Sequence, residues 1–379
     1  MKKGWKVKRL GELGAAIREQ AKIVADQEYE LWSVPSFETG TPETSFGKGI
    51  GSAKLLVRPN DVLICKINPR INRVWLVEEP VNGREQIGST EWLVFRANPD
   101  AGLSPTWLIH FVSAPKFREW IESEVTGATG SHTRAKADGI LRQEIPVPPL
   151  AEQQRIVGLL DEAFEGLATA KANAEKNLQN ARALFESHLQ SVFTQRGPGW
   201  VETTLDKIST NLDNKRVPIT KNVRTSGEYP YYGASGIVDY VGDYIFEGAN
   251  LLVSEDGANL LARSTPIAFS VSGKYWVNNH AHILHFENMA TQRFAEFYLE
   301  SIKLDDYITG AAQPKLNQKA LNSILIPIPK SVETQAKIVE SVESLQEETQ
   351  RLARLYERKH AALEALKKSL LHQAFTGAL

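Results

Sequence analysis

The chain has 379 residues, 42% of them apolar, a formal net charge of −1 and one cysteine, Cys65. That length holds two to four domains, each able to bury a core; no apolar run approaches the ~18 residues needed to cross a bilayer, so no membrane role is expected. A single cysteine excludes an intrachain disulfide framework and fits a cytoplasmic protein, and the near-zero charge means that any nucleic-acid face must come from local sorting of charge.

In chain order, Met1-Lys2-Lys3-Gly4-Trp5 is basic but lacks the apolar stretch of a signal peptide. Lys2, Lys3, Lys6, Lys8 and Arg9 form a basic cluster, read as solvated surface charge. Residues 1–145 carry 20 Lys/Arg against 18 Asp/Glu and read as a mixed α/β domain. Strand-like runs lie at 54–57, 62–67, 75–77 and 91–95, punctuated by the turn formers Pro59-Asn60-Asp61 and Asn68-Pro69. Helices are predicted over 106–113, where Pro105 suits a helix start, and over 115–124. Thr126-Gly127-Ala128 and Ile145-Pro146-Val147-Pro148 lead to Glu152-Gln153-Gln154-Arg155-Ile156-Val157, which opens a long helix. From Ala151 to Arg196 there is no proline, and apolar residues recur at three- and four-residue steps from Ile156, Leu159 and Leu160 to Leu184, Leu189 and Val192.

The second half begins with Gly199-Trp200, an echo of Gly4-Trp5. Lys215, Arg216, Lys221 and Arg224 form a basic cluster opposed only by Asp213. Residues 200–328 hold 11 Lys/Arg against 14 Asp/Glu. Here 231–240 reads as a turn-rich aromatic segment, 250–257 as a strand running into a turn, 279–286 as a strand and 293–302 as a helix. About 182 residues after the first occurrence, the earlier order returns: Thr309-Gly310-Ala311, Ile326-Pro327-Ile328-Pro329, Gln335-Ala336-Lys337-Ile338-Val339, and a second helical stretch over 333–375 with Leu345, Leu352, Leu355, Leu363 and Leu366 on its stripe. Both stretches close alike, on Phe193-Thr194 and Phe375-Thr376. Helices of roughly 40 residues are roughly 60 Å long and cannot bury such a stripe alone. The natural partner of each is the other, antiparallel because a globular domain intervenes; a homodimeric coiled coil is the alternative. The expected fold is α+β: mixed α/β domains at 1–145 and 199–328, joined by helical regions at 146–198 and 329–379 that pair as an antiparallel coiled coil with pseudo-twofold symmetry.

Catalytic and cofactor motifs are not found. Gly47-Lys48 and Gly273-Lys274 lack phosphate-loop spacing, and no Asn-Pro-Pro-aromatic motif of an adenine methyltransferase occurs. His280 and His282 would share a strand face, but no cysteine or well-spaced carboxylate completes a metal site in the sequence, so no metal is expected.

The order of a variable mixed domain, a Pro-rich exit and a Glu-x-Gln/Gln-x-x-Ile-Val helix, given twice, resembles the specificity subunit (HsdS) of type I restriction-modification systems. Tyr229-Pro230-Tyr231-Tyr232-Gly233-Ala234-Ser235-Gly236, Leu251 to Asn259, Val277 to His282, Gln313 to Asn317 and the closing Gln373 to Gly377 carry the likeness. In the first half Ser131-His132-Thr133-Arg134 stands where the second has Ala312-Gln313-Pro314-Lys315, which makes Arg134 the counterpart of Lys315. The resemblance implies a non-catalytic subunit of a methyltransferase/endonuclease complex. Its two target recognition domains would bind double-stranded DNA at an asymmetric bipartite site, and its helices would fix the spacer. Two methylation subunits (HsdM) would dock on the helices and bring S-adenosylmethionine for a DNA methylation that needs a flipped base; two restriction subunits (HsdR), with ATP and Mg, can join. Base readout needs hydrogen-bonding side chains on loops. The candidates are Lys66, Arg70, Asn72, Arg73, His132 and Arg134 in the first domain, and Lys215, Arg216, Tyr232, Ser235, Asn259, Asn279, His280 and Lys315 in the second. A coiled-coil adaptor with protein-binding globular domains is the rival that the near-neutral domains favour.

Overall fold

The computed structural model describes residues 2–126, 133–310 and 313–379. They form two compact units, Met1–Ala174 with Arg358–Leu379, and Glu175–Glu357. Each unit holds one globular domain and a segment of both long helices, so the helical regions are shared between units.

In the first unit, strand Lys6–Arg9 pairs antiparallel with Glu144–Val147, which brings the domain's two ends side by side. Trp200–Thr204 and Leu325–Pro329 do the same in the second unit. Between these ends both domains build two four-stranded sheets of one topology. The first domain's antiparallel sheet runs Gly14–Ile17, Trp92–Ala97, Val62–Cys65, Val74–Leu76. Its mixed sheet runs Glu43–Phe46, Glu28–Trp32, Glu85–Ser89, Lys54–Leu56, with the central pair parallel. In the second domain the antiparallel order is Thr210–Asn211, Ala281–His285, Asn250–Ser254, Ala268–Val271. The mixed order is Gly236–Val241, Ser226–Gly233, Lys274–Val277, Phe246–Glu247, again with the central pair parallel.

The central strands explain their unbroken apolar runs. Val62 and Ile64 enter one core while Leu63 and Cys65 enter another; Leu251 and Val253 are likewise separated from Leu252. A strand with both faces covered has no polar side, so it does not alternate. The segment read as turn-rich is a hairpin of Ser226–Gly233 and Gly236–Val241 that turns at Ala234-Ser235. The helix expected at 293–302 is Met289–Ser301, starting earlier because the Asn288 side chain caps it through the Thr291 N–H.

The long helices are Leu150–Thr194 and Val332–Thr376, 45 residues each. In the first unit Ile156 and Leu160 of one and Leu371 and Ala374 of the other join the domain core. Phe375 packs there against Trp107 and Phe111, with ring centroids 4.8 and 5.2 Å apart. In the second unit its repeat partner Phe193 packs against Phe294 and Tyr298 at 5.3 and 5.1 Å, beside Val339 and Val342 of the other helix. Each helix thus begins against one domain's core and contributes its closing phenylalanine to the other's. Ion pairs link the helices within each unit: Lys171–Glu364 at 2.8 Å in the first and Arg182–Glu357 at 3.4 Å in the second. The expected apolar stripe is too wide. Ala174 and Ala181 are buried, but Leu159, Leu184, Leu355 and Leu366 are exposed, because a straight 3.6-residue helix carries some three- and four-step positions off a narrow seam. No described helix is long and apolar enough to cross a membrane.

Candidate DNA interface

The central strand of each antiparallel sheet runs into a loop cluster, and backbone bonds make the two clusters equivalent. In the first domain, Val62–Cys65 leads to Lys66, whose N–H donates to the Glu91 carbonyl (3.0 Å) and whose carbonyl accepts from the Ala135 N–H (2.9 Å). Ile67 bridges Arg134. In the second, Asn250–Ser254 leads to Glu255, whose N–H donates to the His280 carbonyl (2.9 Å) and whose carbonyl accepts from the Leu316 N–H (2.8 Å). Asp256 bridges Lys315. Position for position, Lys66 matches Glu255, Glu91 matches His280 and Arg134 matches Lys315.

The first cluster is built around Glu91. Its carboxylate accepts from the Arg134 guanidinium at 2.6 Å, which leaves the Arg134 side chain 60% exposed. Lys66 donates to the Thr90 carbonyl at 2.9 Å. Burial lowers its pKa; nearby Glu91 opposes this and Arg134 adds to it. Arg73 pairs with Glu38 at 2.9 Å. Asn72 sits in the left-handed region (φ 49°) and donates to the Val112 carbonyl at 2.9 Å, so its amide anchors the loop to helix Pro105–Ser113. Arg70 is exposed and makes no side-chain bond among the described residues. His132 lies outside the described residues.

The second cluster is an ion network. Arg216 donates to Glu255 (2.6 Å) and to the Ala281 carbonyl (2.8 Å), with Asp213 3.4 Å away. Lys315 reaches the other Glu255 oxygen at 3.1 Å. His282 lies between the Asp213 carboxylate (2.5 Å) and the Leu316 carbonyl (2.7 Å). Burial raises both acids, but the opposing pull is greater: His282 and the Ile283 N–H hold Asp213 down, and Arg216, His282 and Lys315 hold Glu255 down. Structure supplies the carboxylates that the sequence left out, since Asp213, Glu255 and His282 offer ligand atoms within 4.8 Å of one another. Arg216 and Lys315 already neutralise those acids, so the group reads as a salt network.

The two histidines do not share a strand face. His280 precedes strand Ala281–His285 and pairs at the surface with Asp256 (2.8 Å), whereas His282 is buried. The Ser254 hydroxyl donates to the Ala234 carbonyl, which brings the turn holding Ser235 to the strand end. Lys215, Ser235 and Asn279 are exposed and make no side-chain bond among the described residues. Tyr232 packs on Phe269 and Tyr275. Asn259 closes its own loop through Ser264 and Thr265. Arg224 stacks 4.3 Å from the Tyr231 ring and pairs with Asp239. The residues that sequence reasoning passed over are acids: Glu91, Glu255 and Asp256 orient the bases beside them. A carboxylate offers guanine and adenine no donor, so base-readout chemistry alone does not point to these acids, although Glu255 and Asp256 lie inside the segment Leu251 to Asn259.

Two domains of one topology, each ending in an equivalent loop cluster with its own letters and each seated on segments of two long helices, define a duplicated two-site protein. The chain belongs to the type I restriction modification DNA specificity domain family, whose model matches residues 2–178 and 198–357. It is 34% identical over 173 residues to a putative type I restriction enzyme specificity subunit of Haemophilus influenzae, a match spanning 45% of this chain and 43% of that one. Two solved structures share its fold. A chain from a study of complex assembly and conformational transition of the type I R-M system superposes with a TM-score of 0.81 at 20% identity, covering 100% of this chain and 99% of that one. The HsdS subunit of Thermoanaerobacter tengcongensis does so with a TM-score of 0.65 at 20% identity, covering 100% and 98%.

Proposed function

We propose that this chain is the DNA sequence-specificity subunit of a cytoplasmic type I restriction-modification complex and is not itself an enzyme. The observation that carries the reading is the equivalence of Arg134 and Lys315, exposed cations at matching places, each held by an acid of its own cluster. A buttressed cation presents its donors in one orientation, as contacts to guanine or phosphate need. Arg70, Lys215, Ser235 and Asn279 add free donors nearby. The exchange of Lys66 for Glu255 and Glu91 for His280 suits two different half-sites on one frame.

In this reading the long helices pair antiparallel about a pseudo-twofold axis and fix the distance and phase between half-sites. Leu150 and Val332 occupy equivalent repeat positions, as do Leu184 and Leu366, and all four are exposed. Duplicated apolar positions suit two copies of one partner, here two methylation subunits (HsdM) supplying S-adenosylmethionine-dependent methylation. Two restriction subunits (HsdR), with ATP and Mg, can join this assembly to make an endonuclease.

Methylation sequencing of the host genome, with and without this chain, identifies the target. On that duplex, Arg134→Ala and Lys315→Ala in the assembled methylase are each expected to weaken binding by about 1–3 kcal/mol with relaxed specificity if they touch bases, or uniformly with a shallower salt slope if they touch phosphate. Unchanged affinity for both variants overturns the proposal.

A further inference from the structure

We infer that Gln153 and Gln335 are positioning residues that lock each recognition domain onto its long helix and so set the phase between half-sites. The inference rests on the bipartite reading above. The two glutamines are the fourth residues of helices Leu150–Thr194 and Val332–Thr376 and stand 182 positions apart, the spacing of the repeat. They are 0% and 4% exposed on helices whose first turns are otherwise largely open to solvent.

Each amide ties together three pieces of chain. Gln153 Oε1 accepts from the Ser104 N–H at 2.8 Å, while its Nε2 donates to the Gly102 and Pro148 carbonyls, both at 2.7 Å. Gln335 Oε1 accepts from the Thr291 hydroxyl at 2.6 Å, and its Nε2 donates to the Pro329 carbonyl at 2.7 Å. Pro148 directly follows exit strand Glu144–Val147, and Pro329 is the last residue of exit strand Leu325–Pro329. Ser104 is the N-cap of helix Pro105–Ser113, and Thr291 is in the first turn of helix Met289–Ser301. Exit strand, long helix and domain helix therefore meet on one side chain in both units.

The physical case for a lock is directionality. Apolar packing is roughly proportional to area and tolerates small rotations, whereas a buried amide with its donors and acceptor engaged is penalised as soon as it turns away from them. On B-DNA one base pair changes the phase by roughly 34°, from about 10.5 base pairs per turn. A joint that permits a rotation of that order at either domain accepts a spacer one base pair too long or too short.

The test uses the assembled methylase and duplexes carrying the cognate half-sites with the cognate spacer, one base pair fewer and one more. The wild-type complex is expected to methylate the cognate spacer preferentially. Gln153→Met with Gln335→Met keeps side-chain length and removes the directional bonds. In that double variant, which loses all five bonds, the cognate-to-altered rate ratio is expected to fall by at least about tenfold, roughly the factor that one buried hydrogen bond sets by itself. Discrimination against base changes within each half-site should stay at the wild-type level, whereas a merely weakened fold lowers all rates together. Thr291→Val removes one partner without touching either glutamine, should lower the same ratio by a smaller factor, and decides the matter if the methionine variants fail to fold by circular dichroism. Folded variants with the wild-type spacer ratio overturn the inference. If the wild-type complex itself ignores spacer length, the bipartite reading fails instead.

Discussion

Removing Arg216 strands two buried acids. Its side chain is 13% exposed, and Glu255 and Asp213 beside it are 11% and 5% exposed. Breaking a buried pair by deleting one partner typically costs 3–5 kcal/mol. Lys315 and His282 still face Glu255 and Asp213 in the variant, so Arg216→Ala should cost about 3 kcal/mol, the lower end of that range. For a unit of this size that lowers the melting temperature by about 6–12 °C. The assay is a thermal scan of the full chain at pH 7 and again in acid. Both acids are held below their ordinary values, so their pairing contributes fully above the unfolded carboxylate range and is lost as pH falls through the lower folded values. The gap between wild type and variant should therefore be largest near neutrality and shrink in acid. Replacing the pair together, as Arg216→Met with Glu255→Leu, should cost less than Arg216→Ala, since Glu255 no longer carries a charge, Asp213 keeps His282, and Lys315 is half exposed to solvent. A melting temperature within about 1 °C of wild type for Arg216→Ala at pH 7, well under the effect expected for a buried pair, would refute the reasoning.

Asp61 is fully buried, accepts two bonds from Arg96 (2.7 and 2.6 Å) and one from the Arg58 N–H (2.9 Å); Asp61→Asn should destabilise by about 3 kcal/mol, read by urea denaturation. A Cβ on Gly14 would lie 2.3 Å from the Arg96 carbonyl oxygen and 2.5 Å from Phe95 Cζ, so Gly14→Ala should cost at least about 2 kcal/mol by the same measurement. Cys65 is buried and its thiol is pushed up by that burial; a thiol reagent should label the native chain slowly and the chain in guanidinium at once, and fast native labelling would contradict the packing.

The sequence carried the repeat, and the repeat carried much of the architecture. Local signals sufficed for the central strands, for helices starting on Pro105 and Pro115, and for the two long helices, because continuous apolar runs, N1 prolines and unbroken 3.6-residue periodicity act within a few residues of chain. Pairing the ends of each domain was not legible, since Lys6–Arg9 meets Glu144–Val147 across most of the domain. Nor were the strands Glu28–Trp32 and Glu85–Ser89, whose parallel pairing joins residues 56 positions apart. At the candidate interface the sequence supplied the cations and the Arg134–Lys315 correspondence. The tertiary structure supplied what holds them, matching Glu91 to His280 and Lys66 to Glu255, and committing Asn72 to helix Pro105–Ser113 and Asn259 to its own loop. It also decided that His282 is interior while His280 is at the surface, two residues away. Periodicity reports which way a side chain points relative to its own element; which charges meet at a loop end depends on how distant strands are brought into register, and no local pattern records that.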